Sequence, residues 1–291
     1  MPIPDNSFLR PRLPEVHGHR GCRGLRPENT LPAFLHALDL GVDVLELDVV
    51  VSADRQVVVS HEPWLNPAIC RGPVGETLAP DAAPLYNLYQ MPYASIQQCD
   101  CGLPHPGFPL QLSQPAVKPL LRDVLAATKA QAARQPGRRS LGYSIEIKSL
   151  PEGDNIYHPA PAEFFALVLT ELDHAGVGEQ STILSFDPRV LRQAHLVRPA
   201  LRTCLLVEPE QEWLPSLRQL GFVPTTFGPN QGTVTAAAVS ELRTQYPGLR
   251  LVPWTVNEPA DFTRLLALDV EGITTDYPDQ LLSLLQRQAR V

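Results

Sequence analysis

A parallel α/β barrel of eight strand–helix units is the architecture expected of this chain. Three observations point to it. Apolar runs of four to seven residues alternate with longer stretches of helical spacing over most of the length, a rhythm that implies parallel strands joined by helical crossovers. The 291 residues suit one such barrel with some excess, since the plain form takes about 250. Charged residues sit within or at the ends of otherwise apolar strands, and the C-terminal strand ends are where a barrel of this type carries its chemistry.

The elements follow in order. Glu15–His19 is the first strand candidate. Leu31, Phe34, Leu35 and Leu38 then match the i, i+3, i+4, i+7 helix template and stop before Gly41. Val44–Val51 and Val57–His61 come next, joined by Ser52–Gln56, which is too short for a crossover helix. Further candidates are Leu141–Ile147, Ser181–Phe186, Thr203–Val207, Val223–Phe227, Leu249–Val256 and Ile273–Thr275. Asn257 is the expected N-cap of a helix with Pro259 in its first turn and Phe262, Leu265 and Leu266 on one face. Nine candidates compete for eight places, so one is short or lies outside the barrel, and Val44–His61 is the expected irregularity.

One region breaks the rhythm. Residues 62–118 hold ten prolines, three tyrosines (Tyr86, Tyr89, Tyr93) and three of the five cysteines, with few charges. Without these 57 residues 234 remain, close to a plain barrel. The chain therefore reads as a single barrel domain, 1–291, with 62–118 as an inserted subdomain or lid, because loops longer than about 12–15 residues are usually functional.

Composition narrows the function. With 44% hydrophobic and 19% charged residues the chain can bury a core, and no apolar run approaches a membrane span. The net charge of −7 argues against bulk binding to nucleic acid or anionic membrane. A phosphate ligand would need a metal or a few placed cations. Five scattered cysteines do not resemble a disulfide framework, and residues 1–18 lack the pattern of a secretory signal. A soluble, cytoplasmic protein is expected. Cys70, Cys99, Cys101 and His105 have zinc-type donors at irregular spacing, and Cys22, beside the first strand, is given no role.

The strand ends supply the candidates. Glu46-Leu47-Asp48 and Glu146-Ile147-Lys148 each place two charges on one strand face. Three carboxylates, Glu46, Asp48 and Glu146, would repel one another unless a positive charge lay among them. Hard oxygen donors suit Mg²⁺ or Ca²⁺; the rival is an internal ion-pair network with Arg20 and Lys148. His19 and His61 end strands converging on that cluster, as an acid–base pair would. His36, His174 and His195 read as helix residues and His17 as a lining residue, while His158 and Trp254 are candidates for lining a substrate. Asn29 and Asn257 fit either ligand orientation or helix capping, and Asp276 reads as polar rim or strand end. Phe186 and the three tyrosines offer cover for a head group.

These residues resemble the glycerophosphodiester phosphodiesterase family. The matching text is His19-Arg20-Gly21, Pro27-Glu28-Asn29-Thr30, Ala33-Phe34, Gly41-Val42-Asp43, Glu46-Leu47-Asp48-Val49 and Val58-Val59-Ser60-His61. It continues in Ile145-Glu146-Ile147-Lys148, Ser185-Phe186-Asp187, Trp254-Thr255-Val256-Asn257 and Gly272-Ile273-Thr274-Thr275-Asp276-Tyr277-Pro278. The resemblance implies a TIM (β/α)8 barrel of the phospholipase C-like phosphodiesterase type, with a small insertion after the third strand candidate. It implies one divalent cation, Mg²⁺ or Ca²⁺, on Glu46, Asp48 and Glu146, acid–base work by His19 and His61, and phosphate binding by Arg20 and Lys148. The implied reaction is hydrolysis of a small-molecule glycerophosphodiester to sn-glycerol 3-phosphate and an alcohol. Where members usually have His-Asp, this chain has His61-Glu62, whose extra methylene shifts a hydrogen bond or moves the carboxylate away from the metal.

The expected chemistry is attack by the glycerol 2-hydroxyl on phosphorus, one histidine taking its proton and the other protonating the leaving alcohol, followed by opening of the cyclic phosphate by water. Two rivals stand beside it. One is a lysophospholipase D or phospholipase C-like phosphodiesterase, which needs a route for an acyl chain. The other is a barrel that binds a phosphoester without turnover.

Overall fold

Alternation along the strands dictates the architecture. In Val44–Val51, Leu45, Leu47, Val49 and Val51 belong to the main apolar core, while Glu46 and Asp48 take the opposite face. The same alternation in Gly142–Ile147 sends Tyr143, Ile145 and Ile147 to the core and leaves Ser144 and Glu146 facing inward on a cavity. A sheet with one face apolar and covered by helices, and the other lined by small or charged groups, is satisfied by closing on itself.

The computed structural model describes residues 13–81, 83–135, 137 and 140–289. The first twelve residues, where most of the N-terminal stretch read for a secretory signal lies, are outside this set. The strands are β1 (Glu15–Gly18), β2 (Val44–Val51), β3 (Val57–Val59), β4 (Gly142–Ile147), β5 (Ser181–Ser185), β6 (Arg202–Val207), β7 (Thr226–Pro229), β8 (Arg250–Leu251) and β9 (Gly272–Thr275). Their spatial order is β8-β7-β6-β5-β4-β2-β1-β9, all parallel. The two ends of that order meet: Glu271 and Thr274 N–H groups donate to the Leu251 and Pro253 carbonyls at 3.0 Å, and Val256 N–H donates to Thr274 O at 2.9 Å. The result is a nearly closed eight-stranded TIM barrel.

The surplus strand is β3. It pairs antiparallel with β2, Val49 opposite Val59, and stands off the ring. Two candidates move. The expected Val223–Phe227 strand forms at Thr226–Pro229, and Leu249–Val256 contracts to Arg250–Leu251, because Pro253 has no N–H for the ladder.

Helices fill the crossovers. Leu31–Leu40 is capped by the Thr30 side chain, carries a proline in its first turn, and ends at Gly41, whose φ of 101° glycine adopts without strain. It buries Ala33, Phe34, Ala37 and Leu38 against the barrel. Replacing the fully buried Phe34 by Ala is expected to cost about 3–5 kcal/mol in denaturant unfolding. The helix Pro259–Leu266 has Glu258, not Asn257, at its N-cap, because the Asn257 side chain is bonded to Asp276 instead.

Residues 62–118 carry an apolar cluster of their own, including Leu65, Ile69, Leu88 and Ile96, packed on Val50 and Val58. Here the cysteine expectation is corrected. The folding of this segment brings Cys70 to Cys101, 31 residues apart, and they form a disulfide. That consumes two of the four zinc-type donors, leaving Cys99 a buried free thiol. Among the described residues, the acidic and thiol groups gathered as metal donors are Glu46, Asp48 and Glu146 alone.

Candidate active site

The site is built where β1, β2, β4 and β9 lie side by side. Register places Asp48 opposite Glu146 across β2 and β4, so three carboxylates converge: one oxygen each from Glu46, Asp48 and Glu146 lie within 4.8 Å of one another. All three are buried. Arg20 follows β1 in the left-handed region, φ 50°, and its N–H donates to Glu46 Oε2 at 2.8 Å. Asn29, also left-handed at φ 56°, is not a cap: its amide donates to Asp48 Oδ2 at 2.8 Å and its oxygen accepts the Asp48 N–H. Two unfavourable backbone conformations at one place show a geometry held by its surroundings.

The cations lie among these acids. Lys148 Nζ is 2.7 Å from Glu146 and 3.3 Å from Asp48, while Arg20 reaches Glu28 at 2.8 Å and Asp48 at 3.3 Å. Although burial opposes it, Lys148 and Arg20 hold the Asp48 carboxyl well below the usual carboxylate range. Glu46 goes the other way. Burial and the neighbouring Asp48 and Glu146 charges push it well up, and its ion partner among the described residues is His19 Nε2, 3.9 Å away.

A divalent ion fits this donor set. Asp48 Oδ1 is buried without a hydrogen bond. The surrounding network holds six carboxylates (Glu28, Glu46, Asp48, Glu62, Glu146, Asp276) and four fixed cations (Arg20, Arg23, Lys118, Lys148). The deficit equals the charge of one such ion, and carboxylate oxygens are the donors that Mg²⁺ and Ca²⁺ accept.

The two histidines stand at the wall of one cavity of about 1530 Å³, and each ring is tied at Nδ1 to a carboxylate. His19 Nδ1 is 2.6 Å from Asp276 Oδ1, a contact between the ends of β1 and β9 that are 257 residues apart. Asp276 is fully buried and also takes Arg23 through two bonds, at 3.0 and 3.1 Å, and Asn257 Nδ2 at 2.7 Å. Against the effect of burial, His19 and Arg23 hold its carboxyl well below the ordinary range. Burial outweighs Asp276 at His19 itself and lowers that imidazole to about 4. His61 Nδ1 is 3.1 Å from Glu62 Oε1, so the extra methylene of Glu62 still delivers a carboxylate to the ring. Burial alone would raise Glu62; the bond to His61 and the His61 and Lys118 charges bring it down to about 2. Fixing Nδ1 leaves Nε2 as the working nitrogen of each ring.

The remaining candidates divide. Trp254 donates from Nε1 to Gly228 O at 2.8 Å and packs edge-on against Phe186, centroids 5.3 Å apart. With Leu184, Cys204 and Leu206 these two rings form an apolar wall of the cavity. His158 also lines the cavity, its ring held by its own loop, with Nε2 accepting the Leu150 N–H at 3.1 Å and Nδ1 lying 2.9 Å from Pro159 O. Asp276 is the residue that sequence reasoning undervalued. Its only local signal was a carboxylate closing the last strand, which in a ring neighbours the first.

Comparison with known proteins agrees with this geometry. Residues 19–280 match the model of the glycerophosphoryl diester phosphodiesterase family. A glycerophosphodiester phosphodiesterase of Bacillus altitudinis is 27% identical over 277 residues, 94% of this chain and 98% of that protein. A crystal structure of a provisionally named glycerophosphoryl diester phosphodiesterase from Silicibacter pomeroyi superposes with a TM-score of 0.83 at 32% identity, covering 96% of this chain and 95% of that one. An Oleispira antarctica phosphodiesterase in complex with the product sn-glycerol-3-phosphate gives 0.73 at 20% identity over 94% and 97%, a likeness of fold.

Proposed function

The chain belongs to the glycerophosphoryl diester phosphodiesterase family, and from that premise we propose that it hydrolyses glycerophosphodiesters to sn-glycerol 3-phosphate and an alcohol, using a divalent cation on Glu46, Asp48 and Glu146. It is a phosphoric diester hydrolase. The observation that carries the mechanistic reading is the pairing of two carboxylate-anchored imidazoles with three converging carboxylates in one cavity.

When bound, Mg²⁺ or Ca²⁺ supplies positive charge that acidifies a substrate hydroxyl and offsets phosphate charge. The protein does the proton work. Asp276 and Glu62 keep the two Nδ1 positions occupied, so each Nε2 can take or give a proton. One ring takes the proton of the glycerol 2-hydroxyl as that oxygen bonds to phosphorus, and the other protonates the departing alcohol oxygen. Water then opens the cyclic phosphate with the roles exchanged, which restores both rings. Arg20 and Lys148, already fixed by carboxylates, present preorganised charge to the phosphate. Trp254 offers a face for the glycerol carbons.

The test is release of glycerol 3-phosphate from glycerophosphocholine and glycerophosphoethanolamine with Mg²⁺, Ca²⁺ or EDTA. Release that needs the ion is expected; intact diesters under every metal would sink the reading. His61→Ala is expected to lower kcat at least ~10²-fold, and near-wild-type turnover would remove that ring from the mechanism.

The apolar wall of Leu184, Phe186, Cys204, Leu206 and Trp254 favours a second reading, a lysophospholipid as substrate. Hydrolysis of lysophosphatidylcholine with none of its deacylated counterpart would select it. We also propose a single barrel domain carrying 62–118 as a lid, and a cytoplasmic setting. No helix of the described residues is long and apolar enough to cross a membrane.

A further inference from the structure

Lys118 is a buried cation that the chemistry above does not use. The residue is 5% exposed and is not among those that line the cavity. An ammonium out of water needs compensation. Burial lowers its pKa, partly offset by the charges of Glu62, Glu28 and Asp48, while Arg20 acts with burial. The hydrogen bond it makes runs to Ser60 Oγ at 2.7 Å, and Ser60 Oγ in turn donates to the Glu62 carbonyl at 2.6 Å. Glu62 is the carboxylate that fixes His61, and its second oxygen, Oε2, is buried with no hydrogen bond.

The backbone holds this chain of contacts in place. Val59 N–H donates to Pro119 O at 2.8 Å and Val58 bridges Leu120, so Lys118 is brought beside the start of the His61 loop. Glu62 and Lys118 are the first and last residues of the inserted segment, and their charges attract each other across its closure.

We propose that Lys118 is a positioning residue for His61. It keeps Glu62 ionised and, through Ser60, fixes the loop that carries it, so that Glu62 accepts from Nδ1–H and Nε2 stays free. A Glu62 that gained a proton, or swung toward solvent, would release the ring to its other tautomer. The role rests on the hydrolytic reading, because His61 matters only if it moves a proton. Glu62 Oε2 is left without a donor, and a buried ammonium compensates for its charge without bonding to it.

A double-mutant cycle tests this with glycerophosphocholine and saturating Mg²⁺. Lys118→Met is expected to lower kcat about tenfold, with KM within about twofold, and to lower the melting temperature as well, since Glu62 loses the charge that compensates it. In a Glu62→Gln background the same change is expected to add less than about twofold. Multiplying losses, or an unchanged kcat for Lys118→Met alone, would overturn the proposal. A second readout does not need turnover: long-range ¹H–¹⁵N spectra, with the His61 signal assigned by His61→Ala, report its tautomer. The wild type is expected to carry the proton at Nδ1, and both Lys118→Met and Ser60→Ala to show a mixture. An unaltered His61 ring in both variants, or in Ser60→Ala alone where Lys118→Met folds poorly, refutes the positioning role. A wild type that leaves every diester intact would instead refute hydrolysis, with the spectra still deciding what Lys118 does.

Discussion

Replacing Asp276 by Asn is expected to lower kcat about 10³-fold while the barrel remains folded. The reason lies in its donors. Asp276 Oδ1 receives His19 Nδ1 and Arg23 Nε, and Oδ2 receives Arg23 Nη2 and Asn257 Nδ2. An asparagine has one oxygen and one NH₂ to place among them. Asn257 cannot turn to accommodate an NH₂ at the Oδ2 position, because its own oxygen accepts the Asp276 N–H at 3.0 Å. The NH₂ therefore falls at the Oδ1 position and donates to His19 Nδ1, which moves the ring proton to Nε2. A base that carries its proton on the working nitrogen cannot take another, and a wrong tautomer of this kind costs about 10⁴ in serine proteases. The measurement is kcat alongside circular dichroism. A folded variant within tenfold of wild type would show that His19 does not depend on Asp276.

Chelation is expected to have the larger effect, a loss of at least ~10⁴ in turnover with EDTA, reversed by Mg²⁺ or Ca²⁺. A second consequence follows from the raised Glu46 carboxyl. An ion that neutralises it and its neighbours binds the folded chain alone, so it raises the melting temperature; at a hundred times Kd the gain is about 2.7 kcal/mol. Asp48→Ala is expected to remove both the rescue and the metal-dependent rise. Full activity in EDTA would leave Arg20 and Lys148 as the only charge opposite the three acids, the ion-pair network that was the rival expectation.

Much of this was legible in the residues. Period-two spacing put Glu46 with Asp48 and Glu146 with Lys148 on inward faces, because a strand gives no other choice. The short link Ser52–Gln56 exposed β3 as the surplus strand by the same kind of constraint. What escaped depends on contacts between distant segments. His19 and Asp276 meet only because the ring closes β9 against β1. Cys70 and Cys101 pair only after residues 62–118 fold on their own cluster. Asn257 resembled a cap from its position before Pro259, and nothing local showed that its amide is taken by Asp276. His158 lines the cavity as expected of its position, but nothing local showed that the loop after β4 engages both its nitrogens.

Residues 62–118 leave the barrel rim after β3 and return to it through Pro119 and Leu120, at the same point. Their length therefore enters the barrel's stability as loop closure, which adds only about 0.6 kcal/mol for each doubling. No strand register depends on what lies between. Such a segment can be lengthened, trimmed or exchanged during descent while the carboxylates beneath it keep their places. Ring and detour are in this way free to change at different rates, provided Glu62 and Lys118 at the two ends of the detour are kept.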